Sequence, residues 1–146
     1  MNCILEFREE LDSGKVTKEE LFNNCVDMAK KYQDDYNSFV TIVENYEGID
    51  GNSILSGIPY AIKDNVSTKG ILTTGSSNIL ANYVPVYDAT IYEKLKEAGA
   101  MLVGKTVLDE LAIGGTGTTG HTGVVSNPWD KTRQIGGSSA GSAAAE

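Results

Sequence analysis

Apolar residues recur along the first third of the chain at helical spacing. Ile4, Phe7 and Leu11 form one stripe, which Ser13-Gly14 ends. Thr17-Lys18-Glu19-Glu20 has the capping-box pattern, in which the Thr17 hydroxyl and the Glu20 carboxylate satisfy each other's backbone N–H groups. Behind it Leu21, Cys25, Met28, Ala29 and Tyr32 share a helix face, and Asp34, Asp35 and Asn37 mark a turn. Phe39 to Val43 reads as a short strand, and Asn45 to Asn52 as a polar loop. The periodicity changes after Leu55. Gly57 to Ile62 is an apolar run that leads into Lys63-Asp64-Asn65, a buried strand with polar residues at its C-terminal end, where open α/β sheets place their chemistry. Ile71 to Leu80 is rich in threonine and serine and reads as irregular. Asp88 can cap a helix over Ala89 to Ala98, with Ile91, Leu95 and Ala98 facing inward and Gly99 closing it. Met101 to Gly104 follows as a second buried strand, which completes a βαβ unit with a parallel sheet. Val107 to Ile113 is expected to be a short helix carrying Asp109 and Glu110.

From Gly114 the texture shifts again. Eight of the sixteen glycines lie between Gly114 and Gly141, among many serines and threonines and few charges. Such a stretch is either low-complexity disorder or a polar wall built from backbone. Val124, Val125, Trp129 and Ile135 favour the wall, because disorder needs no apolar anchors. The stretch ends in Gly136-Gly137-Ser138-Ser139-Ala140-Gly141-Ser142, followed by three alanines that start a helix. A Gly/Ser loop entering a helix N-terminus gathers unpaired N–H groups at a place that suits developing negative charge. Taken alone, those residues also fit a flexible linker.

Composition narrows the function classes. At 146 residues, with 40% hydrophobic and 22% charged residues, the chain is long enough to hold a core. Its net charge of −8, with no basic cluster, argues against direct nucleic-acid contact. Cys3, Cys25 and the lone His121 have no metal-ligand spacing, so no metal site is expected; His121 reads as a loop residue and Cys25 as a small buried hydrophobe. No signal segment and no membrane-length apolar run is present, which makes a cytoplasmic location the default. Glu146 follows the alanines with no helix-stopping residue, a pattern expected of a chain cut one turn into a helix.

Lys63 carries the sharpest chemical question. A lysine at a strand end usually snorkels to solvent. Buried behind an apolar run and an uncharged wall, its amine would instead lose its proton readily and act as a general base, with serine as nucleophile. Asp64 argues against this unless it points to the other face, as alternation along a strand allows.

Several motifs stand in a fixed order: Gly57-Ile58-Pro59 with Ile62-Lys63-Asp64-Asn65, then Leu108-Asp109-Glu110-Leu111-Ala112-Ile113-Gly114, then Asn127-Pro128-Trp129-Asp130, and finally the run from Gly136 to Ala145. Together they resemble the amidase signature family. Val84-Pro85-Val86-Tyr87-Asp88-Ala89-Thr90 and the two N-terminal helices narrow the resemblance to the branch of glutamyl-tRNA(Gln) amidotransferase A subunits. The resemblance covers nearly the whole chain but only about the first third of a family member. It implies an α/β fold, with N-terminal helices over residues 1–53 followed over 54–146 by part of a mixed, largely parallel sheet flanked by helices, the amidase signature fold left incomplete at 146. It also implies a Ser–Ser–Lys triad in which Lys63 is the base and Ser138 the bridging serine, held by a cis peptide. The nucleophile and oxyanion hole would lie in a later Gly-Gly-Ser segment that these residues do not contain; Ser139 and Ser142 are not substitutes. Ile113 and Gly114 would line the substrate pocket.

By the same resemblance the protein would be a glutaminase subunit that passes ammonia to partners. Those partners would be B and C subunits, with ATP and magnesium held by a partner and no cofactor in this chain. Two other readings stay open: a free-standing amidase of another substrate, and a non-catalytic fragment acting as an interaction module. Alone, the chain is expected to be inactive, marginally stable and prone to associate through uncovered apolar faces. Two positions depart from the family pattern. Ala140 replaces a more usual glycine, and Glu146 an apolar residue.

Overall fold

The computed structural model describes residues 4–48 and 50–146, so Cys3 and Ile49 lie outside the described residues. Helix α1 (Ile4–Asp12) is followed by Gly14 at φ +70, and α2 (Lys18–Tyr36) begins with the expected capping box between Thr17 and Glu20. Here α2 runs through Asp34 and Asp35, which the sequence marks as a turn. Asn37 ends the helix in the left-handed conformation at φ 52, donating its N–H to the Gln33 carbonyl. The Gln33 amide then brackets the backbone of Phe39 from both sides, which sets the start of strand β1 (Phe39–Ile42).

Strand β2 (Pro59–Lys63), helix α3 (Thr90–Glu97) and strand β3 (Met101–Thr106) form the expected βαβ unit. The three strands make one sheet in the order β1-β3-β2, with β2 parallel and β1 antiparallel to β3. This is a mixed α/β architecture with helices N-terminal to and flanking the sheet. All of β3 is buried, whereas Ala61 of the outer strand β2 is exposed. The β1 strand comes from the first third of the chain, and Phe22 and Val26 of α2 pack with Met101 and Val103 of β3 in one core cluster. The N-terminal segment and the sheet therefore share a core.

Several side-chain assignments change. In α2 the buried residues are Leu21, Phe22 and Val26; Cys25 and Ala29 are half-buried, and Met28 and Tyr32 are exposed. In α3 the sheet takes Tyr92 and part of Leu95, and Ile91 stays in solvent, because a helix of eight residues can roll by one position without losing its stripe. Asp88 does not cap α3. Its carboxylate accepts the Lys69 N–H instead, and Ala89 is the N-cap without a side-chain bond. In the Gly-rich stretch Val125 is a buried anchor and Ile135 packs beside it, but Val124 and Trp129 are exposed.

The segment 107–113 is not a helix. Val107 and Leu108 are fully buried beyond the end of β3, and only Glu110–Ala112 make a short 3-10 turn, with Leu111 and Ala112 at positive φ. The final helix α4 (Ala140–Ala145) packs against β2 and β3. It comes close because of Gly141, whose N–H bonds the Val107 carbonyl at 2.8 Å; a side chain there would collide with the Ser38 carbonyl. Ala140 is buried in helical conformation, so the missing glycine costs nothing at that position. Between α1, α2, the outer strand and the end of α4 lies an open groove of about 790 Å³, lined by apolar residues that include Phe7, Met28, Tyr32 and Tyr60. Among the described residues no helix is long and apolar enough to cross a membrane.

Candidate active site

Two remote segments meet at the C-terminal ends of the parallel strands. Lys63 is the last residue of β2, and Ser138 lies two residues before the start of α4. The Lys63 Nζ donates to the Ser138 Oγ at 2.7 Å, with both residues half-buried. The Gly137–Ser138 peptide is cis. Among the described residues no carboxylate lies within ion-pair distance of Lys63. Its ammonium has a hydroxyl for a partner, the kind of neighbour that can exchange a proton with it.

Asp64 turns to the other face. It is fully buried; its Oδ2 accepts the Thr74 N–H and hydroxyl, and its Oδ1 lies 3.5 Å from the Nζ of Lys105. Lys105, the next-to-last residue of β3, is also fully buried. Its ammonium donates to the Val66 carbonyl and to the Thr68 and Thr73 hydroxyls at 2.7–2.9 Å. Burial pulls its pKa below the ordinary lysine value, and the charge of Asp64 pushes back. The alternation that removes Asp64 from Lys63 is thus fixed by a second, buried lysine, to which periodicity assigns no role. A lysine inside an otherwise apolar strand was the available signal.

Asp109, read from sequence as part of a helix, is the other buried carboxylate beside the site. Its Oδ2 accepts the N–H groups of Thr116 and Gly117, and its Oδ1 those of Thr118 and Thr119 together with the Thr119 hydroxyl, at 3.0–3.4 Å. Its own N–H donates to the Ser138 carbonyl at 3.0 Å. Burial pushes its pKa up, but the hydrogen bonds led by Gly117 and Thr119 outweigh that and hold the carboxyl below the usual range. Gly114 lies against it, with a would-be Cβ 2.6 Å from the Asp109 Cβ, and Gly137 is closer still. Ile113 is 81% exposed at the rim. The Gly/Thr stretch is indeed a backbone wall, wrapped around one carboxylate.

The serines of the loop separate by environment. Ser139 is exposed and makes no capping bond, and Ser142 shares a hydrogen bond of 2.8 Å with the Thr106 hydroxyl. His121 is exposed, with its backbone N–H on the Ser76 carbonyl. The half-buried Cys25 is a free thiol whose pKa burial pushes up. Among the described residues no group of three or more potential metal ligands converges.

A family model described as Amidase matches residues 20–145. The chain belongs to the amidase family. This amidase-family chain is 45% identical over 97% of its length to the A subunit of glutamyl-tRNA(Gln) amidotransferase from Streptococcus pneumoniae (strain 70585). It is 43% identical over 96% to that of Oenococcus oeni. The crystal structure of the corresponding A subunit from Thermotoga maritima matches with a TM-score of 0.86 at 39% identity over 99% of the chain. The structure of 6-aminohexanoate cyclic dimer hydrolase matches with a TM-score of 0.89 at 26% identity, also over 99%. The chain spans 31% of the length of each of these four proteins.

Proposed function

We propose that these residues supply the base and the bridging hydroxyl of a Ser–Ser–Lys amide-hydrolysing site, within the glutaminase subunit of a glutamyl-tRNA(Gln) amidotransferase. The observation that carries the reading is the 2.7 Å contact between Lys63 Nζ and Ser138 Oγ, made by residues from the two ends of the sheet unit. With the amine neutral, Lys63 takes the proton of the Ser138 hydroxyl, and Ser138 takes that of a nucleophilic serine. The nucleophile comes from the part of the full-length protein that follows, since these 146 residues contain one Gly-Gly-Ser run, at Gly136 to Ser138. Its oxygen bonds the side-chain carbonyl carbon of glutamine. Collapse of the tetrahedral species, with the relayed proton returned to the leaving nitrogen, releases ammonia and leaves an acyl-enzyme; water then yields glutamate and restores the serine. Ile113 and Gly114, at the rim of the Asp109 cradle, face the substrate in this reading.

The rest of the assignment follows the branch of the family. Ammonia passes to B and C subunits, and a partner holds ATP and magnesium. The acidic chain leaves tRNA to those partners and works in the cytoplasm. The match to 6-aminohexanoate cyclic dimer hydrolase, at a TM-score of 0.89, favours a second reading as a free-standing amidase. Ammonia release by the full-length protein from glutamine and from simple amides, with and without co-purified partners, separates the two. Preference for glutamine together with stable association supports the amidotransferase, and turnover of other amides by the solitary protein supports the alternative. The 146-residue chain by itself is expected to show no turnover; activity abolished by Lys63→Ala in that short chain would sink the proposal.

A further inference from the structure

We propose that Asp109 is the positioning residue of the Lys63–Ser138 pair, an inference that rests on the proton-relay reading above. The residue touches neither the amine nor the hydroxyl. It holds what carries the hydroxyl. Its N–H fixes the Ser138 carbonyl, and its carboxylate packs against Gly137 so tightly that a Cβ at that position has no room. The same carboxylate gathers four consecutive backbone N–H groups and one hydroxyl from residues 116–119, and Gly117 of that loop in turn lies against Ile135, Ala140 and the Gly136 carbonyl. The backbone on both sides of Ser138 is therefore built on one fully buried group.

Every group aimed at the carboxylate oxygens is a donor, so only the ionised, acceptor-only form satisfies them all. An asparagine would turn two amide hydrogens toward N–H groups and force the cradle apart. Ser138 would move with it, and a shift of an ångström in a proton relay costs about 100-fold in rate.

The test is Asp109→Asn in the full-length protein, in the wild-type and the Ser138→Ala backgrounds, with turnover of glutamine measured against KM and thermal melting. In the wild-type background kcat falls by about 100-fold with KM little changed, because the residue does not touch substrate. In the Ser138→Ala background the residual kcat does not fall further, because the group that Asp109 positions is gone. A kcat equal to wild type, or an equal loss in both backgrounds, overturns the proposal and leaves Asp109 a folding residue. Should Asp109→Asn fail to fold, Thr119→Val removes one of the five bonds and is read in the same two backgrounds, with a loss of about tenfold confined to the first. Wild-type turnover by Ser138→Ala or Lys63→Ala themselves overturns the relay, and this inference with it; their inactivity beside a wild-type Asp109→Asn overturns this inference alone.

Discussion

Two lysines on neighbouring strands of one sheet have opposite surroundings. Lys105 is fully buried, faces a carboxylate and donates to three oxygens, so its charge is held in place. Lys63, at the end of β2, is half-buried and bonded to a single hydroxyl. Strand alternation makes the division: Asp64 is the residue after Lys63, and its side chain goes to the other face to meet Lys105. A sheet can thus keep a carboxylate next in sequence to a lysine and still keep it out of that lysine's reach. One lysine is part of the scaffold, and the other is the one to which the proposed relay assigns a proton.

Substitutions that exchange these roles would break the comparison. The largest effect is expected from Lys63→Ala in the full-length protein: a loss of about 1000-fold in amide turnover with an unchanged melting temperature, measured by ammonia release and calorimetry. Lys105→Met should do the reverse in kind. It strands the Asp64 carboxylate in the interior and lowers stability by about 3–5 kcal/mol in chemical denaturation, with part of the loss recovered when Asp64→Asn is added. A smaller effect belongs to Ser142→Ala, which removes the bond to Thr106 and costs about 1 kcal/mol, while turnover stays at the wild-type level. That outcome would separate Ser142 from Ser138 within one loop.

The last prediction concerns acid. The carboxyl of Asp109 is held below its ordinary value of 3.8, so its contribution to stability is complete above about pH 4 and disappears as pH falls through the lower folded-state value. The melting difference between wild type and Asp109→Asn should therefore shrink below about pH 4 and stay constant above it. A difference that grows on acidification would mean that the cradle does not prefer the ionised form.

Much of this division was legible in the sequence, but unevenly. Lys63, Ser138 and the βαβ unit between them are local patterns: an apolar strand with a polar end, a helix closed by Gly99, a Gly/Ser loop opening onto alanines. Lys105 was hidden because its partner is remote in sequence and β3 reads as apolar without it. Asp109 was misplaced because Val107, Leu108, Leu111 and Ala112 repeat at helical spacing. Their burial comes from the sheet and from a turn with two positive φ values, which periodicity does not encode. Tyr92 replaced Ile91 on the inner face of α3 for a similar reason, since a short helix has two nearly equivalent stripes and the sheet selects one. Trp129, an expected apolar anchor of the Gly-rich stretch, lies 91% exposed.

Lys63 and Ser138 are held to act as a single relay. The most direct measurement is the rate of ammonia release by the full-length protein carrying Lys63→Ala, Ser138→Ala, or both. A relay predicts that the double variant is no slower than the slower single variant, because either change already interrupts the same proton path. Losses that multiply in the double variant, or a single variant with wild-type turnover, would contradict it.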